Sequence, residues 1–477
     1  MAQRLEKTNF VTHILFGLVL GCWCIAANAS PAESLIDGGF ENGPAPASGW
    51  EEVVESPDEA SDETSFVMPD QISGWDIAAY QCKYAFWAGG SYAISDDETA
   101  PLSNYVQQEV YVPEQTLGLG FSTCFRREDE DDASPDDLFY VEIIDEGNVE
   151  ANIFSREMTK DNNSYPDWKR YILTNISDYK NKTVTLRIGA ESGAGTPYTG
   201  NVLVDAIDLY QGRDQPVSEE NRTVYPAQAY TDDDTDALDT FLADDFDVGE
   251  EDGEDVEIYG MEIRGSVLPV DKKITLHFEI YDDDTGLPDG NPKDPDNKPV
   301  WSLSLAADDP QINISAEGGD GKITFSPKIP ARLAKGRYWL VFYPQMSEAD
   351  FGQFGWHVSD TTNGHEAMVI TPDGDNGKQL WTPITEVGDW NVALQDLAFT
   401  LFYQKADVPE ISVSPNRLSE TVAKDKTATA DIIIANSGDA FLEVRSIKSS
   451  AEWIRLNPEQ GDVEKSCGEI TVTVTFD

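Results

Sequence analysis

Apolar residues recur at every second position along most of this chain. Phe139, Val141 and Ile143 share one side of a short run, and Val184, Leu186 and Ile188 share one side of another, each interleaved with residues that can face water. A period of two predicts strands with one buried face. Ile274, Leu276, Phe278 and Ile280 alternate with Thr275, His277, Glu279 and Tyr281, and Trp301, Leu303 and Leu305 repeat the alternation. The run from Tyr338 to Tyr343 is apolar on both sides, which predicts a central strand. Beyond Pro409 the composition shifts to Thr, Val, Ile and Ser, with strands expected at Thr427 to Ile434, Leu442 to Ile447, Trp453 to Leu456 and Ile470 to Phe476. Long helical periodicity is absent, so the predicted fold class is all-β, built of sandwiches.

Breaks in this pattern divide the chain. Arg4 and Lys7 precede an apolar run from Val11 to Ala27, and Ala27-Asn28-Ala29 supplies the small residues of a cleavage site. Residues 1–29 are therefore expected to be an export signal, too short to serve as a membrane span. A weaker alternative is lipoprotein processing at Val19-Leu20-Gly21-Cys22. Residues 30–212 form a first sandwich, and 213–226, with Pro216 and Pro226 among charged residues, read as a linker. Residues 227–405 form a second sandwich, and 409–477 a third, immunoglobulin-like one. The third is shorter than the roughly 100 residues such a sandwich needs, so its last strands are expected to be missing and the chain to be a fragment.

Charge narrows the partners. The 477 residues carry 88 acidic against 33 basic side chains, a formal net charge of -55, which repels nucleic acid and anionic membranes alike. Of five cysteines, Cys22 and Cys24 leave with the signal. Export to an oxidising compartment favours a disulfide between Cys82 and Cys124, worth roughly 4 kcal/mol in the chain-entropy model, with Cys467 left over. No Cys-x-x-Cys pair or Cys/His cluster suggests structural zinc.

The first sandwich resembles the galactose-binding-like jelly-roll modules that include many bacterial carbohydrate-binding modules. The matching residues are Gly38-Gly39-Phe40-Glu41 with Trp50, Phe86-Trp87-Ala88-Gly89-Gly90, Val106 to Val110 with Val112-Pro113, and Val204-Asp205-Ala206-Ile207. That resemblance implies that the first and last segments of the domain meet and that Glu41 and Asp205 help bind a structural calcium. Calcium takes carboxylate and carbonyl oxygens, which fits. The competing reading has Glu41 capping a turn and Asp205 facing solvent. The second sandwich is similar to a jelly roll recurrent in secreted bacterial proteins, through Asp284-Thr285-Gly286-Leu287-Pro288, Gly336 to Leu340 and Asp396-Leu397-Ala398-Phe399. The third resembles BACON-type domains, in Ile411-Ser412-Val413-Ser414-Pro415, Trp453-Ile454 and the turn from Pro458 to Gly461. Two acidic clusters, Asp232 to Asp236 and Asp282 to Asp296, lack the ligand spacing of an EF-hand and read as solvated turns.

Catalytic signals are lacking. His365-Glu366 has no second histidine four residues on, and there is no Gly-x-Ser-x-Gly elbow or phosphate-binding glycine loop. Paired carboxylates of the glycosidase kind carry no weight where acids are this abundant. Aromatics are more informative, because sugar C–H faces stack on Trp and Tyr while carboxylates and amides take the hydroxyls. Trp50, Trp87 and Trp339 are expected in cores, whereas Trp75 and Trp356 are expected as exposed ligand-binding platforms. The sequence thus predicts a secreted, periplasmic or cell-surface protein that is not an enzyme. Its expected role is adhesion or binding to glycans or cell-surface material. The alternative is the accessory region of a larger secreted hydrolase whose catalytic domain lies outside this chain.

Overall fold

The computed structural model is all-β, with two large sandwiches and a smaller C-terminal unit. It describes residues 35–36, 38–41, 49–55, 67–69, 79–80, 84–88, 103–127, 138–145, 148–157, 164–191, 200–219, 222–231, 239–249, 255–294, 298–317, 319–361, 363–371, 380–387, 396–406, 411–415, 417–418, 427–436, 442–449, 451–463 and 468–476. The segment expected to be an export signal lies outside these. Among the described residues, no helix is long and apolar enough to cross a membrane.

Among the described residues, ten strands build the first sandwich. They are β1 (Glu51–Glu55), β2 (Val67–Pro69), β3 (Tyr84–Ala88), β4 (Ser103–Val112), β5 (Thr116–Arg127), β6 (Leu138–Asp145), β7 (Asn148–Glu157), β8 (Lys169–Leu173), β9 (Lys182–Glu191) and β10 (Gly200–Gln215). One sheet runs β1-β4-β9-β6-β7; facing it, β10 pairs with β3 and β5, which pair in turn with β2 and β8. The expected alternation is met: Phe139, Val141 and Ile143 of β6 and Leu186 and Ile188 of β9 pack with Phe40, Trp50, Phe86, Phe121 and Val204 in one core. The first and last segments do meet, but as a turn against a strand. Gly38 sits so close to β10 that a Cβ there would lie 1.8 Å from the Ile207 carbonyl oxygen, and the Ile207 amide donates to the Gly38 carbonyl at 2.9 Å.

The second sandwich comprises β11 (Val224–Pro226), β12 (Ala229–Tyr230), β13 (Phe241–Val248), β14 (Val256–Gly265), β15 (Thr275–Asp282), β16 (Trp301–Ala306), β17 (Ile312–Glu317), β18 (Asp320–Phe325), β19 (Ala331–Leu333), β20 (Gly336–Met346), β21 (Gly355–Ser359), β22 (Met368–Ile370), β23 (Thr382–Pro383), β24 (Asp396–Leu397) and β25 (Phe399–Lys405). One sheet runs β16-β15-β20-β13-β22-β23, and β20 is central as expected, flanked by β13 and β15. Leu276, Phe278 and Ile280 face Ile263, Phe325 and Leu401 of the other sheet across the core.

The stretch 213–226 is not the free linker that its prolines and charges suggest. Arg213 to Gln215 continue β10 and pair with Leu401 to Phe399 of β25, and Val224 to Pro226 pair with β21. Strand pairing across the junction is a long-range interaction, and local turn chemistry does not report it. One sheet therefore runs from the first sandwich into the second, and Tyr210 stacks on Tyr259 beside it at 5.3 Å between centroids.

The C-terminal unit has a four-stranded sheet, β26 (Ile411–Ser414), β27 (Ala428–Asn436), β31 (Glu469–Phe476) and β29 (Ile454–Asn457), and a pair, β28 (Leu442–Val444) with β30 (Gly461–Val463). Ile434, Val463, Val472 and Val474 are buried within it.

Candidate functional site

Strand alternation splits β3, β10 and β5 into two faces. Phe86, Val202, Val204 and Phe125 point into the core, so Trp87, Leu203 and Cys124, which are cross-strand neighbours, stand together on the outside. They form a separate apolar cluster joined by the half-buried Tyr165 and Trp168. These two rings come from the loop before β8. It is tied down by the amides of Ser164 and Tyr165, which donate to the Phe125 carbonyl at 3.0 and 2.9 Å, and by the Phe125 amide, which donates to Ser164 Oγ at 2.9 Å. Half-buried Tyr80 lies 5.8 Å from Trp168, centroid to centroid, and the Arg126 guanidinium sits 5.0 Å over the Tyr165 ring.

A buried polar network continues this face. Arg170, on the outer side of β8, donates to Ser122 Oγ at 3.0 Å, to the Ala206 carbonyl at 2.9 Å and to Asp208 at 3.1 Å, and it also bonds the Tyr210 hydroxyl. Burial opposes its charge, but Tyr210, Tyr80 and Asp208 outweigh burial and hold the guanidinium protonated. Burial in turn pushes the Tyr210 hydroxyl up. The network fixes β5, β8 and β10 beneath the aromatic rings, so the rings project from a rigid floor.

The sequence-predicted residues fare unequally. Asp205 is fully buried on β10, at a bulge where Ala206 takes a positive φ of 52°, and its Oδ1 accepts the Ala206 amide at 2.6 Å. Glu41 follows the Gly38 turn, and its Oε1 accepts the Tyr84 amide at 3.1 Å, on the strand paired with that part of β10. Two carboxylates thus belong to the same end of the domain, as hard oxygen donors of the type calcium takes. Among the described residues, no group of three or more His, Cys, Asp or Glu is placed to hold a metal. The reading in which Asp205 faces solvent is corrected by its burial.

Trp356 is no exposed platform. It is 0 % exposed on β21, donates its indole N–H to the Ala398 carbonyl at 2.8 Å and packs edge-on to Phe342. The glycines around it suggest a loop, yet every residue of β21 is buried. Trp75 lies outside the described residues. Trp50 is core, as expected, whereas Trp87 is on the opposite side of its sheet from the core. Cys124 is a free, buried thiol, and Cys82, its expected disulfide partner, lies outside the described residues. Burial, with Asp167 nearby, pushes the Cys124 thiol up to about 12, so it stays protonated and inert at neutral pH.

The residues that sequence reasoning missed are Tyr165, Trp168 and Arg126. Their signal was the short run Tyr165-Pro166-Asp167-Trp168, two aromatics in a proline-containing turn just before a strand. In the second sandwich the acidic turn after β15 is structural: Asp283 accepts the Gly286 amide at 3.1 Å and the Trp339 indole N–H at 2.8 Å. The part of that cluster at 295–296 and the whole cluster at 232–236 lie outside the described residues. Three further buried carboxylates gather between β13 and β24. Asp244 accepts the amides of Asp245 at 2.9 Å and Leu397 at 2.5 Å, Asp245 accepts that of His365 at 3.1 Å, and Asp396 accepts that of Asn363 at 2.6 Å. Burial raises all three, Asp245 to about 6, Asp396 to about 7, and Asp244 well above the usual carboxylate range, where Asp396 adds repulsion.

No family model matches this chain, and no curated protein does. Among solved structures, tandem CBM51 modules of a family 98 glycoside hydrolase from Streptococcus pneumoniae are 9 % identical with a TM-score of 0.14, covering 57 % of this chain and 82 % of that one. PNGF-II is 8 % identical with a TM-score of 0.18, covering 75 % of this chain and 66 % of that one. Likeness at this level is too slight to bear on function.

Proposed function

We propose that this chain is a secreted, non-catalytic binding protein of the periplasm or cell surface, and that its first sandwich holds glycans on the outer face of β3, β10 and β5. On this reading the three units are a carbohydrate-binding jelly roll, a second jelly roll and a BACON-type domain. The observation that carries it is the gathering of Tyr80, Trp87, Tyr165 and Trp168 outside the core, beside Arg126. Sugar rings stack on such aromatics, and guanidinium groups donate to hydroxyls. Affinity electrophoresis through gels containing single polysaccharides tests it. At least one polysaccharide should retard the chain, Trp168→Ala should relieve the retardation, and no reducing sugar should be released. Sugar turnover by the purified chain would contradict the non-catalytic role.

A structural calcium held by Glu41 and Asp205 belongs to the same proposal, with the ion drawing the Gly38 turn onto β10. A ligand that binds only the folded state stabilises it by RT ln(1 + [L]/Kd). Melting should therefore rise with calcium and fall with chelator, and Glu41→Ala should erase the difference. Identical melting in both buffers would remove calcium from the account.

A further inference from the structure

Where the shared sheet passes from one sandwich to the other, a cleft of about 460 Å³ opens beside it. Register defines its floor. Thr400 of β25 is the cross-strand neighbour of Asp214 on β10 and of Glu262 on β14, and all three point away from the core that holds Phe399, Leu401 and Ile263. Its lining also takes in Thr174 and Ser177 of the first sandwich, at a short turn, and Arg222 and Arg264.

The charges are arranged in pairs. Arg264 lies 2.5 Å from Glu262 Oε1, Arg222 is paired with Asp320, and the Thr400 hydroxyl donates to Asp214 at 2.7 Å. Glu262 is paired twice. Its side chain is 1 % exposed and lies between two cations, with Arg264 at Oε1 and Lys322 Nζ 3.2 Å from Oε2. Acids and bases of both signs therefore line the cleft, a lining that suits polar, uncharged groups better than an ion of either sign.

From this geometry we infer that the cleft is a second binding site, for an uncharged polyhydroxylated ligand of mono- to disaccharide size. Small-ligand pockets span roughly 300–1,000 Å³, and this one lies within that range. An anion meets Asp214 on the floor and the charge of -55 over the whole chain. A metal cation meets Arg264 and Lys322 beside Glu262, and Arg222 beside Asp320. Hydroxyl groups satisfy both kinds of wall, donating to carboxylates and accepting from guanidinium groups and from Thr174 and Ser177. The site is independent of the aromatic face, because it uses none of those rings.

Saturation-transfer NMR on the full chain tests it, with galactose, mannose, N-acetylglucosamine and lactose as probes and glucuronate as the charged control. The experiment is run on a Trp87→Ala/Trp168→Ala chain, so that the aromatic face is disabled. At least one uncharged sugar should bind this chain, and at least tenfold more tightly than glucuronate. Asp214→Asn and Ser177→Trp, the second filling the cleft from its wall, should each weaken that binding at least tenfold while melting as the parent does. No binding by the aromatic-face variant, binding unchanged by both cleft substitutions, or equal binding of glucuronate would overturn the inference.

Discussion

In the first sandwich Trp87 stands outside the core, half-buried among Tyr165, Trp168 and Cys124. In the second, Trp339 also points away from the main core, yet it is 0 % exposed. Its indole donates to Asp283, the His365 ring stacks above it, and Tyr281, Val341 and Tyr343 surround it in a second apolar cluster. Trp381 closes the same region by donating to the Gly290 carbonyl at 2.6 Å. Both tryptophans obey strand alternation. The difference lies in loops: the turns after β15 and before β22 fold over one face and convert it into a minor core. An aromatic outside the main core is therefore a platform only where it stays partly exposed, as Trp87 and Trp168 do and Trp339 does not.

Substitution should separate the two regions by stability first. Trp339→Ala removes a fully buried indole and its hydrogen bond to Asp283, and should cost about 3–5 kcal/mol in denaturant unfolding. Trp168→Ala should cost less than about 1 kcal/mol. Equal losses would mean that the first face is as sealed as the second.

The buried carboxylates between β13 and β24 should give the second sandwich a pH effect. Folded Asp396 keeps its proton up to about 7, against 3.8 for the ordinary carboxyl. A carboxyl raised on folding contributes stability that is complete below the unfolded value and is lost as pH rises through the folded one. Stability of the second sandwich should fall across that window, by on the order of 2–4 kcal/mol, and Asp396→Asn should make the profile shallower while Asp244 and Asp245 keep the rest of it. A profile as steep in the variant would assign the effect elsewhere.

The junction gives a smaller effect. A Cβ at Gly212 would sit 2.0 Å from the Leu401 carbonyl oxygen, so Gly212→Ala should part β10 from β25 at a cost of roughly 1–3 kcal/mol. Calorimetry should then show two separate transitions for the sandwiches. A single unshifted transition would show that the shared sheet does not couple them.

Much of this fold was legible in the alternation of apolar residues, because half-buried strands write their period into the sequence. Phe139, Val141 and Ile143, or Leu276, Phe278 and Ile280, are core where the pattern places them. Sites were less legible. Gly352 and Gly355 around Trp356 resemble loop punctuation, but Gly355 begins a fully buried strand and Phe354 is itself core. Trp87 follows a core phenylalanine, and only cross-strand register with Leu203 and Cys124 reveals the cluster it joins. Trp168 lies far from Trp87 in sequence and meets it through the fold of one short loop. Covering by loops and pairing between distant strands are long-range facts, which local composition does not encode.

The aromatic face is the central claim, and calorimetric titration tests it most directly. With a polysaccharide that retards the wild-type chain as ligand, binding should weaken about tenfold in Trp168→Ala, on the order of 1.4 kcal/mol, and should stay unchanged in Trp339→Phe. Unchanged affinity in Trp168→Ala, or an equal loss in Trp339→Phe with both variants folded, would contradict it.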